Sequence, residues 1–222
     1  IRVLDRSGYF ETVTLSEDDL KRNDMYRANA QRAKAQSRFA DYHDYLLSLE
    51  MTAEIGDFSP LYLQRITQLT NKSNQFNLTT KRYTAEQMEA VYNSDEYIRL
   101  YGKLYDKFGD NGVVAVTIGK TDSEDKGRLD IELWLMSCRV LKRDMELAML
   151  DSLVEQAKKR GIREIYGHYY PTAKNKMVAG LYESFGFEKI SQDEEGNTAW
   201  RLLVEGYEDK NTVIKVKEEH YA

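Results

Sequence analysis

Three stretches of this sequence carry residue types that can do chemistry. The first is SCRVLKRDMELAML, residues 137–150, where a strand-like run gives way to a helical one. Amides at a helix N-terminus are unpaired, and the helix dipole favours an anion there. Arg139, Lys142 and Arg143 would strengthen such an anion site; without an anion the same three form a solvated turn. Cys138 stands beside Arg139. A thiol so placed can be held as thiolate and carry an acyl group, or it can be a small apolar filler at a strand end. His168, at the end of an adjacent expected strand, is the imidazole that folding could bring towards it.

The second stretch is PTAKNKMVAGLYESFGF, residues 171–187. Asn175 and Tyr182 lie seven apart, two turns along one helix face. Tyr182 has a phenol that can serve as an acid, or it is a half-buried core tyrosine. The third stretch is QLTNKSNQFNLTTKRYT, residues 68–84, with three Asn, two Gln, four Thr and no Gly or Pro. It has neither the turn formers of a surface loop nor the apolar stripe of a core helix. Asn71, Asn74, Gln75, Asn77, Thr79 and Thr80 could hold a hydroxylated or amide-rich ligand, with Lys81 and Arg82 on a phosphate. The other reading is a buried network that only shapes the loop.

Composition narrows the classes. The chain has 222 residues, 41% hydrophobic, with a formal charge of −5. That charge supplies no basic field for duplex nucleic acid. No apolar run approaches the ~18 residues of a membrane span. The single Cys precludes an internal disulfide and fits a reducing cytoplasm. Three scattered His make no metal site of ordinary spacing.

These residues must be positioned by regular elements. The opening IRVLDRSGYFETV, with no Met, reads as the last strand, at 9–13, of something that begins earlier. Ser16 and Asp19 then start one long polar helix, or two joined by a kink, reaching about Leu49. A strand at 51–55 precedes a helix opened by Ser59-Pro60, whose Leu61, Ile66 and Leu69 face the core. Thr84 caps a second helix to about Tyr92. Alternation marks antiparallel strands at 97–108, 113–119 and 129–137, with a turn at 108–112. A helix ending at Gly161, a strand at 162–169, a helix at 172–185 and a strand at 198–204 follow. The order β-α-α-β-β-β-α-β-α-β gives an α/β (α+β) domain, a mixed central sheet flanked by helices and preceded by a helical linker. Residues 1–50 are read as an upstream remnant plus linker, 51–205 as the domain, and 206–222 as a charged arm or terminal strand.

The strand order with the first two stretches resembles the GCN5-related N-acetyltransferase (GNAT) fold. That family cradles a coenzyme A pyrophosphate in an R/Q-x-x-G-x-G/A turn after its fourth strand, here Arg139-Val140-Leu141-Lys142-Arg143-Asp144. Arg139 matches; Lys142 and Asp144 replace the two glycines, which elsewhere let backbone approach phosphate. The resemblance implies that Lys174 and Asn175 meet the pantetheine and that Tyr182, before Gly186-Phe187, protonates the leaving thiolate. QLTNKSNQFNLTTKRYT, DKFGDNGVVAV, LMSCRVLKRDME and YPTAKNKMVAGLYESFGF further resemble the C-terminal region of FkbH-like proteins. Those join a HAD-type (haloacid dehalogenase, subfamily IIIC) domain to a GNAT-like one and load a glyceryl unit from 1,3-bisphosphoglycerate on an acyl carrier protein. The resemblance therefore implies an acyltransferase domain that handles coenzyme A or a carrier's phosphopantetheine in the cleft between the fourth and fifth strands. Its partners would be an acyl carrier protein, an upstream HAD-like domain, and a small phosphorylated or hydroxylated substrate met by the Asn-rich wall and His168. The HAD Asp-x-Asp motif is absent, so no phosphatase activity is expected here. Two rivals stand beside this reading: a non-catalytic docking module, and an acetyl-CoA-dependent N-acetyltransferase of amino sugars.

Overall fold

The computed structural model describes residues 17–217, with side chains from residue 27. The chain divides into two compact units at Tyr42/His43. The first contains α1 (Glu17–Gln36). Rich in Ala, Arg, Gln and Lys, with no Gly or Pro, α1 forms through propensity rather than an apolar stripe. The polar stretch to Leu49 is thus two helices, the second being α2 (Tyr42–Ser48). The strand expected at 9–13 lies outside the described residues.

The second unit is built on one mixed sheet. Its strands are β1 (Thr52–Asp57), β2 (Phe76–Asn77), β3 (Tyr97–Asp106), β4 (Gly109–Thr121), β5 (Arg128–Met136), β6 (Glu164–Tyr169), β7 (Glu188–Gln192), β8 (Thr198–Leu203) and β9 (Lys215–Lys217). They stand in the order β7-β8-β6-β5-β4-β3-β1-β9, with β2 paired to β5. Only β5–β6 and β1–β9 are parallel among the described pairs. On one face lie α3 (Pro60–Lys72) and α4 (Ala85–Tyr92). Ser59 accepts from the Leu61 amide, and Thr84 and Gln87 form a reciprocal capping box, so both helices start where the sequence signals them. Ile66, Leu69, Met88 and Val91 are buried against Tyr101, Val116, Ile118, Leu133 and Leu135. Strand alternation sends Gly102 to the other face, beneath α5 (Met145–Lys159). A Cβ on Gly102 would come within 2.4 Å of Met145 Cε and 2.8 Å of Met149 Sδ, so the missing side chain lets α5 seat on β3.

Several expectations are corrected. Leu61, in the first turn of α3, is 77% exposed rather than in the core. The hairpin turns at Lys107-Phe108, earlier than 108–112, because Asp106 accepts the Phe108 amide and Asn111 reaches back to the Leu104 carbonyl. The helix expected over 172–185 is broken into a 3-10 turn (Lys176–Val178) and one helical turn, α6 (Leu181–Ser184). The Asn175 side chain accepts from Thr172 N and Oγ1, taking over the bonds that would start a helix. Of the two readings of the segment after residue 205, arm or terminal strand, the structure has the strand: Asp151 on α5 accepts from Tyr207 Oη and the amides of Lys210 and Asn211, and β9 then pairs with β1.

Arg143 is committed to the fold. It sits 3.1 Å from Asp106 Oδ2, a carboxylate whose side chain is 0% exposed. Removing one partner of a buried pair strands the other charge. Arg143→Ala should therefore cost about 3–5 kcal/mol of unfolding free energy in a denaturant titration; a loss below about 1 kcal/mol would mean that Asp106 finds other partners.

Candidate active site

The site is organised by a strand pair that comes apart. β5 and β6 are in register only at Arg128↔Glu164, Leu129↔Ile165 and Asp130↔Tyr166. Beyond Asp130 they diverge. Against β4, the register steps from Ile118↔Leu133 to Gly119↔Ile131, so Glu132 is the extra residue of a bulge at the start of the gap. The backbone edge of β5 from Trp134 to Met136 then needs a partner.

That partner comes from the polar run. β2 pairs antiparallel with β5, Phe76↔Met136 and Asn77↔Leu135, and the Leu78 amide donates to the Trp134 carbonyl at 3.1 Å. On the other side the Tyr170 amide donates to the Leu78 carbonyl at 2.9 Å. Asn175, 0% exposed, donates from Nδ2 to the carbonyls of Asn77 (2.9 Å) and Tyr170 (3.0 Å). Thr79 Oγ1 donates to the Glu132 carbonyl at 2.7 Å. The rest of the run holds itself in place. Asn71 donates to the Thr67 and Tyr83 carbonyls, Asn77 Oδ1 accepts from the Thr80 amide, and Arg82 donates to the carbonyls of Thr70 and Ser73 and to Asn74 Oδ1. In this conformation Asn71, Asn74, Asn77, Thr79, Arg82 and Asn175 thus bond to the chain itself, while Gln75 lines a groove and Thr80 adopts a left-handed φ of 53°.

At the Met136 end lies a groove of about 760 Å³ lined by Arg65, Lys72, Arg139 and Lys174, together with the exposed Cys138 and the buried Phe76. No carboxylate is among the described residues that line it. Burial lowers the Arg65 pKa, and the nearby Arg139 charge lowers it further, so the cations repel one another where an anion would relieve them. The adjoining turn bears the backbone of a two-glycine loop: Lys142 has φ 62° and Asp144 φ 60°, both left-handed. Val140 is buried, Leu141 is half-buried, and Arg143 faces Asp106, so Arg139 is the guanidinium of the turn that lines the groove. Asp144 precedes α5 without a side-chain cap. Burial raises its pKa, opposed by His43.

At the other end of the gap a pocket of about 440 Å³ is lined by Thr79, Lys81, Asp130, Glu132, His168 and Tyr170. His168 Nε2 is 3.1 Å from Asp130 Oδ1, and Asp130 takes two further bonds from Arg128, at 2.7 and 2.6 Å. Burial pushes the Asp130 pKa up, but His168 and Arg128 outweigh it and hold the carboxyl below its ordinary value. Glu132 accepts from Lys81 (2.5 Å) and Tyr83 Oη (3.1 Å). Burial, then the Glu132 charge, raises the Tyr83 pKa and keeps it a donor. Sequence reading missed Asp130 and Glu132, whose acid-alternating-with-apolar pattern looks like any solvated strand face; the bulge leaves no sequence mark. Cys138 lines the groove and His168 the pocket, so the two are not brought together. Tyr182 is 1% exposed, packed on Gly167 and among Trp134, Phe187 and Trp200. Its hydroxyl makes no hydrogen bond of ordinary geometry among the described residues, and burial raises its pKa well above the usual value, the His168 backbone opposing.

Three outcomes follow. Lys142→Gly should stabilise the fold by about 1 kcal/mol, since left-handed geometry burdens a side-chain-bearing residue; no gain in thermal unfolding would show the turn unstrained. Tyr182→Phe should be stabilising by about 1 kcal/mol, because it removes a buried hydroxyl that has no hydrogen bond of ordinary geometry among the described residues; destabilisation would show that its approach to the His168 backbone is a true bond. Glu146, in the first turn of α5, has its pKa pushed up to about 7 by burial, its own amide opposing and Asp144 adding. The native state therefore holds this proton more tightly than the unfolded chain, and stability falls as pH rises from about 4.5 to about 7. Glu146→Gln should remove a loss on the order of 3 kcal/mol across that window; identical pH profiles for the two proteins would refute the assignment.

No family profile matches the sequence, and no curated protein matches it. Solved structures do. The ribosomal-protein-S18-alanine N-acetyltransferase of Escherichia coli superposes with a TM-score of 0.52 at 13% identity, over 72% of this chain and 99% of that one. The GNAT domain of S. lividans PAT gives 0.53 at 15% identity, over 68% and 90%. The putative acetyltransferase yncA of Salmonella typhimurium, solved with its cofactor acetyl-CoA, gives 0.52 at 14% identity, over 71% and 96%. The likeness is one of fold: over the 68–72% of the chain that these superpositions cover it has the GNAT acetyltransferase fold, a mixed sheet flanked by helices.

Proposed function

We propose that this chain is the acyltransferase-type domain of a thioester-handling enzyme. The basic groove and the turn before α5 seat the phosphate of coenzyme A or of a carrier protein's phosphopantetheine. The observation that carries this reading is the turn itself: Lys142 and Asp144 hold left-handed backbone in the turn that begins at Arg139, and Arg139 lines the groove with Arg65, Lys72 and Lys174 and no acid. The group fits at its anionic end, where guanidinium and ammonium donors converge. When bound, it supplies an acyl group activated as a thioester. The chain's own residues then bind and orient the acceptor. His168, its ring held by Asp130, takes the proton from an acceptor hydroxyl or thiol as that atom attacks the acyl carbon, and later returns it towards the leaving sulfur. Glu132, pinned by Lys81 and Tyr83, gives the pocket polarity without a free negative charge. The four FkbH-like sequence blocks support a glyceryl or related acyl group, a carrier protein and an upstream HAD-like domain as the setting.

A second reading, a non-catalytic docking module, is favoured by β2 in the gap and by the sequestered Tyr182 hydroxyl. Calorimetry with coenzyme A and with a phosphopantetheinylated carrier protein separates them, followed by acyl-transfer assays. Arg139→Glu should weaken either ligand about tenfold or more, and His168→Gln should lower kcat with KM little changed. Carrier binding insensitive to Arg139→Glu, with no transfer under any condition, would favour the docking module.

A further inference from the structure

The groove and the pocket lie along one strand edge, and the chain itself occupies the path between them. From Met136 at the groove to Glu132 at the pocket is about 13 Å at the rise of a strand. Residues 76–79 fill that interval, each 9% exposed or less. Their backbone bonds both walls: to Trp134 on β5 and to Tyr170 just past β6. Asn175, fully buried, bonds the Asn77 carbonyl, and Thr79 bonds the Glu132 carbonyl at the bulge. β2 has only two residues, too few to supply much sheet energy, and it reaches the gap on a connection between α3 and α4 that carries no Gly or Pro.

Resting on the function proposed above, we infer that residues 76–79 are a displaceable strand that occupies the slot of an extended, amide-bearing arm. The edge of β5 and the Asn175 side chain present an amide chain with the donors and acceptors that residues 76–79 now use. An arm whose phosphate sits among Arg65, Arg139 and Lys174 must enter this slot to bring its far end to Glu132 and His168. The strand and the arm are therefore mutually exclusive, and apparent affinity is the intrinsic affinity scaled by the fraction of chains in which the strand has withdrawn.

The test compares coenzyme A, which has the arm, with 3′-phospho-ADP, the same nucleotide without the arm, written ADP below. Calorimetry and amide exchange are run on the full chain. Coenzyme A, not ADP, should speed exchange at the Leu78 amide. Thr79→Val removes one tether and should tighten coenzyme A by about three- to tenfold while leaving ADP unchanged. Asn77→Cys with Leu135→Cys, in a Cys138→Ser background, pins the strand at paired positions. Oxidised, it should bind coenzyme A no better than ADP; reductant should restore the difference. The inference is overturned if coenzyme A binds with Leu78 protection unchanged and the oxidised form binds it equally; the arm then takes another route and the proposed function stands. It is also overturned if every form binds ADP but coenzyme A is never tighter, even in Thr79→Val, because the strand is then a fixed wall. Failure of every form to bind either nucleotide strikes the proposed function itself, and the displaceable strand falls with it.

Discussion

Everything around the site follows from one requirement: backbone N–H and C=O groups buried in a sheet must be bonded. The parting of β5 and β6 after Asp130 exposes two inner edges, and those edges decide what can stand between them. A chain that left them bare would carry unsatisfied amides in its core at a cost of roughly 1–3 kcal/mol each. Here a short piece of the same chain meets both edges. Much of the unusual polarity of residues 68–84 is then explained, because a strand without length needs side-chain tethers. Asn71, Asn77 and Arg82 provide them locally, while Thr79 ties the run to Glu132 on β5 and Asn175 provides one from across the gap.

The electrostatics run against the charge of the whole chain. A molecule with a formal charge of −5 presents a groove whose charged lining is entirely cationic. At the start of α5, Asp144 precedes the helix and Glu146 lies in its first turn, and burial shifts both towards their neutral forms. The helix dipole is thereby only partly answered by its own acids. Ion attraction by such a groove reaches about a Debye length into solvent, roughly 8 Å at physiological salt, so capture of an anion should weaken as salt is raised.

The sequence spoke clearly where a signal is local. Ser59-Pro60 and the Thr84–Gln87 box place two helices, and the alternation at 97–105 places a strand with its inward and outward residues. It was silent on β2, since two residues have no period, and on β7, whose residues are all exposed. It misread 172–185 as continuous helix because periodicity does not reveal that the Asn175 carboxamide competes with the backbone. The turn before α5 is the sharpest case. Lys142 and Asp144 looked like the loss of a glycine motif, yet the backbone retains left-handed geometry at both positions, which residue identity alone cannot show. Cys138 and Arg143 have plain sequence neighbours of one another but opposite fates, one exposed at a groove and the other locked to Asp106.

The pairing of β9 with β1 has a kinetic meaning. Thr52 meets Lys215 from the far end of the described chain, one of the most non-local contacts in the sheet. Contacts of that kind close late, after the entropy of a long loop has been overcome. Until then β1 is a bare sheet edge, the sort of surface on which two folding chains can pair by mistake. Lys215 and Lys217 place positive charge on the strand that finally covers it, and β9 itself, three exposed residues long, is too short and too charged to recruit another. β9 thus seals the edge of β1 without offering an inviting one of its own.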